Sequence, residues 1–114
     1  MTDSVADLIL QMQLRRVLEV ANNPLSYGAL ARALNVPGPG AIARVTGALE
    51  ALMRDDAAAN RPFLAAMCEG KLSGGMPALG FFEMAAVLGR YMGPATGPEA
   101  VAFVAQERAL LARG

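Results

Sequence analysis

The sequence predicts a mainly α-helical fold. Apolar residues recur at three- and four-residue spacing over most of the chain, and capping residues or Pro and Gly punctuation bracket those stretches. Only one short segment reads as a strand. Ser4, followed three residues later by Asp7, forms a capping box that opens a helix from Val5 to about Ala21. Val5, Leu8, Ile9 and Met12 lie on one stripe, and Leu10, Leu14, Val17 and Leu18 widen it. A face that broad packs against more than one element. Asn22-Asn23-Pro24 ends the helix, because Pro cannot continue it and Asn tolerates a left-handed turn.

Ser26 caps a second, short helix from Tyr27 to Leu34, with Leu30, Ala31 and Leu34 inward. Asn35-Val36-Pro37-Gly38-Pro39-Gly40 breaks it. A third helix runs from about Ala41 to Ala58, burying Ile42, Val45, Leu49, Leu52 and Met53. Asp55 and Asp56 sit against its C-terminal dipole, so fraying is expected before Asn60-Arg61-Pro62. With Glu50 they read as a solvated face.

Phe63 to Cys68, bounded by Pro62 and Gly70, reads as a strand; a helix is the alternative because Ala65, Ala66 and Met67 are not strand formers. Lys71 to Pro77 is a loop or a hairpin tip. A fourth helix begins at Gly80 or Phe81 and ends at Gly89, burying Phe82, Ala85, and Ala86 or Leu88. After a Gly/Pro linker, Pro98 and Glu99 open a last helix that ends near Arg113.

Composition excludes several classes. The 114 residues suit one domain, and 54% apolar content with zero net charge is enough to offset ordering entropy. The longest uncharged stretch, Val20 to Ala31, has 12 residues including two Asn, a Pro and a Gly. A membrane span needs about 20 apolar residues. Only three residues precede the Ser4 cap of the first helix, so no signal peptide is expected. One Cys and no His remove disulfides, thiolate metal sites and the usual general base. No cofactor, metal or enzymatic activity is expected, and a reduced, cytoplasmic protein is the default.

Two helices split by a firm turn, with Ala31 where their backbones approach, match a helix-turn-helix. No acid lies between Glu19 and Glu50, whereas Arg32 and Arg44 do, so this unit is locally +2 in a neutral chain. That sign suits phosphate. Arg44 is the candidate for a bidentate base contact, with Thr46 the lesser one. Lys71 at the wing tip would touch the DNA backbone.

Ser26-Tyr27-Gly28-Ala29-Leu30-Ala31, then Pro37, then Arg44-Val45-Thr46-Gly47-Ala48-Leu49 resemble the winged-helix half of alkylguanine-DNA alkyltransferases and alkyltransferase-like proteins. The resemblance implies that Tyr27 lies next to the phosphate of a flipped nucleotide and that Arg44 enters the duplex in its place. Where that family has Pro-Cys-His-Arg, this chain has Met67-Cys68-Glu69-Gly70. Without a His to help form the thiolate, Cys68 reads as a small core residue, and alkyl transfer is not expected. The second half, from Arg61-Pro62-Phe63 through Gly75-Met76-Pro77-Ala78-Leu79-Gly80-Phe81, resembles a widespread group of uncharacterised bacterial proteins. They place a strand and a Gly-x-Pro-x-x-Gly-Phe loop after a similar helix-turn-helix, which implies architecture and no activity.

The expectation is therefore a single winged helix-turn-helix domain over residues 1–114, with a small β-wing and extra N- and C-terminal helices. It would be a non-enzymatic DNA-binding regulator contacting duplex DNA through Tyr27, Arg32, Arg44, Thr46 and Lys71. A homodimer through the first and last helices would double its phosphate contacts. The alternative keeps the scaffold but docks it on a protein. An isoelectric point near 6.2, a single Lys and an Ala/Gly-rich third helix fit that reading.

Overall fold

The computed structural model describes residues 4–113; the expected absence of a leader turns on positions 1–3, outside them. Local hydrogen bonding sets the helix starts. The Ser4 hydroxyl accepts the Asp7 N–H at 3.1 Å and opens α1 (Val5–Val20). After the two residues of β1 (Leu25–Ser26), the Ser26 hydroxyl accepts the Ala29 N–H at 3.0 Å and opens α2 (Tyr27–Ala33). Helix α3 (Ala41–Ala58) follows Gly40, left-handed at φ 85° and without a side-chain cap. Helices α4 (Leu79–Val87) and α5 (Pro98–Arg113) complete the set.

Three helices end alike. At the ends of α2, α3 and α4 a left-handed residue reverses the chain: Asn35 at φ 53°, Asn60 at φ 57° and Gly89 at φ 72°. The next N–H then reaches back, from Val36 to Ala31 O at 2.9 Å, Arg61 to Asp56 O at 2.8 Å and Arg90 to Ala85 O at 2.9 Å. These bonds satisfy carbonyls that a helix end leaves open. With its last carbonyls so closed, α3 runs through Asp55 and Asp56 to Ala58, with no early end. Asn22 and Asn23 form only a bend, not the left-handed turn expected of them.

The core contains the inner faces of all five helices. Helix α1 buries Leu10, Gln11, Leu14 and Leu18 against α3 and the segment after it. The other stripe expected to face inward, Val5, Leu8, Ile9 and Met12, is 73, 47, 50 and 70% exposed. Ile42 also departs from expectation at 48% exposed, so Leu30, Ala31, Val45 and Leu49 are the buried residues of the α2–α3 pair. In α4, Phe81, Phe82 and Ala85 are buried, while Ala86 and Leu88 lie half-buried at the edge.

Phe63 to Cys68 is not a strand. Leu64–Met67 form one 3-10 turn, and only Cys68–Glu69 (β2) are extended, pairing in parallel with β1 through Leu25 with Cys68 and Ser26 with Glu69. Two buried carboxylates explain the turn. Glu107 accepts the Phe63 N–H at 3.0 Å and Asp56 accepts the Leu64 N–H at 3.1 Å, taking donors that a strand would give to a neighbour. Residues 70–78 make successive tight turns instead of a hairpin tip: Gly70 N–H to Met76 O at 2.8 Å, and Met76 N–H to Ser73 O at 3.0 Å.

Two arginines hold the C-terminal half in place. Arg90 sits 4.3 Å over the Phe63 ring, pairs with Glu107 at 3.1 Å and donates to Arg61 O at 2.9 Å. Arg108 donates to Ala66 O and to Gly75 O, both at 2.7 Å, tying α5 to the 3-10 turn and to the 70–78 loop.

Candidate nucleic-acid interface

Helices α2 and α3 pack against each other, and burial sets their rotational phase. Val45 is completely buried. Arg44, about 100° earlier around the helix, is consequently turned to solvent in the first turn of α3. Arg32 is exposed in the last turn of α2. Neither guanidinium has a hydrogen bond or ion pair among the described residues. Arg32 Nη1 lies over Gly28, where a Cβ would approach it to 3.4 Å. Together with Asn35, Val36, Ala41 and Ile42 these two residues line a shallow groove between the helices.

The other three candidates are placed differently. The Thr46 hydroxyl donates to Ile42 O at 2.9 Å, a bond within its own helix. Tyr27 is half-buried, and its hydroxyl accepts the Ala78 N–H at 3.0 Å. Burial pushes that phenol up to about 12, against the pull of the Ala78 bond, so it is neutral at physiological pH. The bond also pins the start of α2 to the loop that carries Lys71. Lys71 is exposed there, beside Leu72, which is 97% exposed at φ 61°. Lys71, Arg44 and Thr46 do not line the groove that holds Arg32.

Cys68 is fully buried in β2. Burial pushes its thiol up to about 12 despite the nearby Arg108 guanidinium, the reverse of what an attacking thiolate requires. The reading of Asp55 and Asp56 as one solvated face needs correction. Asp55 is exposed, whereas Asp56 is 1% exposed and takes Arg15 and Arg61, each at 3.1 Å, on one oxygen. Its position carried the signal, because Asp56 continues the buried row of Val45, Leu49 and Leu52 on α3. Arg15, Arg61 and Arg108 border a cavity of about 740 Å³ that none of the five candidate DNA-contacting residues lines.

Among the described residues no helix is long and apolar enough to cross a membrane. No family model, curated protein or solved structure matches the chain.

Proposed function

We propose that the protein is a cytoplasmic regulator that binds duplex DNA through α2 and α3. In this reading it is a winged helix-turn-helix in which the 70–78 loop stands where the wing would be. One observation carries the proposal: Arg32 and Arg44 are exposed on two packed helices and without an ion pair or hydrogen bond among the described residues, in a stretch without any acid from Val20 to Leu49. The side-chain-uncapped first turn of α3 adds the positive end of a helix dipole beside Arg44. The resemblance of the Tyr27 and Arg44 segments to the alkyltransferase DNA-binding half supports the same surface.

The charge limits the affinity. Two or three phosphate contacts make binding weak and give a loss of about ten- to fortyfold between 50 and 200 mM salt. A dimer offsets this by doubling the contacts, and the exposed apolar residues of α1, with Val101 and Leu110 on α5, supply a surface for it. The test is fluorescence anisotropy of a labelled mixed-sequence duplex at both salt concentrations. Binding at low salt that collapses at high salt, and that is lost in Arg44→Ala, supports the proposal. Equal binding by Arg44→Ala removes α3 from the interface.

A second reading, docking on another protein, is favoured by the α1 stripe of Val5, Leu8, Ile9 and Met12. Association through that stripe is nearly insensitive to salt. Duplex-independent, salt-insensitive binding abolished by Ile9→Glu would replace the DNA reading.

A further inference from the structure

We propose that the cleft between the C-terminal halves of α1 and α5 and the 3-10 turn is a binding site for a small amphipathic carboxylate. The inference is independent of whether α2 and α3 bind DNA. The cavity encloses about 740 Å³, a size that accommodates a small organic molecule. Part of its wall is apolar, formed by Leu18, Leu64, Met67, Leu110 and Leu111. That wall suits a hydrocarbon or aromatic body.

The polar part of the wall specifies the head group. Arg15 Nη2 and Arg61 Nη2 each approach Asp56 Oδ1 to 3.1 Å, and the other oxygen of Asp56 is occupied by the Leu64 N–H. Two guanidiniums against one carboxylate leave a surplus of one positive charge on the wall. Arg15 Nη2 is buried and, among the described residues, has no hydrogen bond. Its contact with Asp56 is within ion-pair distance but outside hydrogen-bonding geometry. A buried cationic donor without an aligned acceptor is unfavourable. A ligand carboxylate can meet the accessible parts of the Arg61 and Arg15 side chains, 51% and 25% exposed, and cancels the surplus charge there.

Two further features narrow the ligand to a monoanion. Arg108 on the same cavity is already committed to Ala66 O and Gly75 O, so it does not add a second open cationic fork. Glu19 also lines the cavity and is exposed, which disfavours a second negative charge there.

The probe is octanoate, with octanol as its uncharged counterpart, titrated into isotopically labelled full-length protein. The readout is the backbone amide signals of Ala21, Leu64 and Leu111, which line the cleft. Octanoate is expected to shift them saturably, at about tenfold lower concentration than octanol, the ratio that one charge-assisted hydrogen bond supplies. Arg61→Gln, at a side chain 51% exposed, leaves Asp56 paired with Arg15 and removes the surplus charge. The preference for octanoate should then fall to near unity. Ala112→Trp, at an exposed residue of the cleft, should weaken both probes. Equal saturation by octanol and octanoate in the unmodified protein overturns the proposal. So does octanoate binding unchanged in both variants, or shifts confined to Val5, Leu8, Ile9 and Met12.

Discussion

Replacing Asp56 by Asn keeps its volume but removes a charge and one of two acceptor oxygens. In the protein Asp56 is 1% exposed, one oxygen taking Arg61 Nε at 3.2 Å with both terminal guanidinium contacts, and the other taking the Leu64 N–H at 3.1 Å. The single carbonyl of Asn can serve either the Leu64 N–H or the guanidiniums. Its amide group then faces the donors that are left. An unsatisfied buried donor costs about 1–3 kcal/mol, and breaking a buried ion pair about 3–5 kcal/mol. Arg61 is half-exposed and water can replace part of its loss. The net cost is therefore placed near 3 kcal/mol. For a chain of this length that lowers the melting temperature by roughly 10–15 °C. Urea unfolding followed by helical circular dichroism measures it, with Asp55→Asn as control. Asp55 is exposed on the adjacent turn position, so its substitution should cost less than about 0.5 kcal/mol. If Asp56→Asn costs no more than Asp55→Asn, or if both stabilise as relief of repulsion from the α3 dipole would, the buried network does not govern Asp56 and the reasoning fails.

Cys68 should resist thiol reagents in the native protein and react once denaturant unfolds it; rapid native reaction would contradict its burial. Its folded value is raised from 9.0 to about 12, so its contribution to stability is fully present below about pH 9 and is lost as pH rises toward 12. Between those limits the unfolded thiol has ionised and the native one has not. The stability of the native chain should fall more steeply there than that of Cys68→Ala, by at most about 1.4 kcal/mol per pH unit. Parallel slopes would refute the assignment. Tyr27→Phe leaves the half-buried Ala78 N–H without its acceptor and should cost about 1 kcal/mol in urea unfolding, whatever its effect on DNA binding. Gly70→Ala should destabilise measurably, because the new Cβ would lie 2.6 Å from Ser73 Oγ and 3.2 Å from the Ala78 backbone; unchanged stability would mean that the loop moves freely.

The helix boundaries were legible because they depend on neighbours in sequence. Ser4, Ser26 and Pro98 mark starts, and Asn35, Asn60 and Gly89 mark ends, through hydrogen bonds that span six residues or fewer. The outward direction of Arg44 followed once Val45 was known to be buried, but one residue of rotation would have reversed it. Among the candidate contacts, Arg32, Arg44 and Lys71 could be chosen from charge alone. The hydroxyls of Tyr27 and Thr46 are engaged by protein groups, Tyr27 through a partner 51 residues away.

Helix α1 is apolar around much of its circumference, and periodicity cannot set the phase of such a helix. Its contacts with α3 and the 3-10 turn place Leu10, Leu14 and Leu18 inside and leave Val5, Leu8, Ile9 and Met12 outside. Similarly, an acid near a helix C-terminus has the local signature of a solvated residue. Arg15, 41 residues earlier, and the backbone after Pro62 make Asp56 a buried junction. The same holds for the lost strand. Phe63 to Cys68 has the composition of a short extended segment, yet Asp56 and Glu107 take its first N–H groups and coil it into a turn. By itself the sequence determined where the chain forms and ends its helices, because capping and chain reversal are short-range. Which faces turn inward, which carboxylates are buried and what the arginines enclose were decided by tertiary structure, because those energies arise only when distant segments exclude water together.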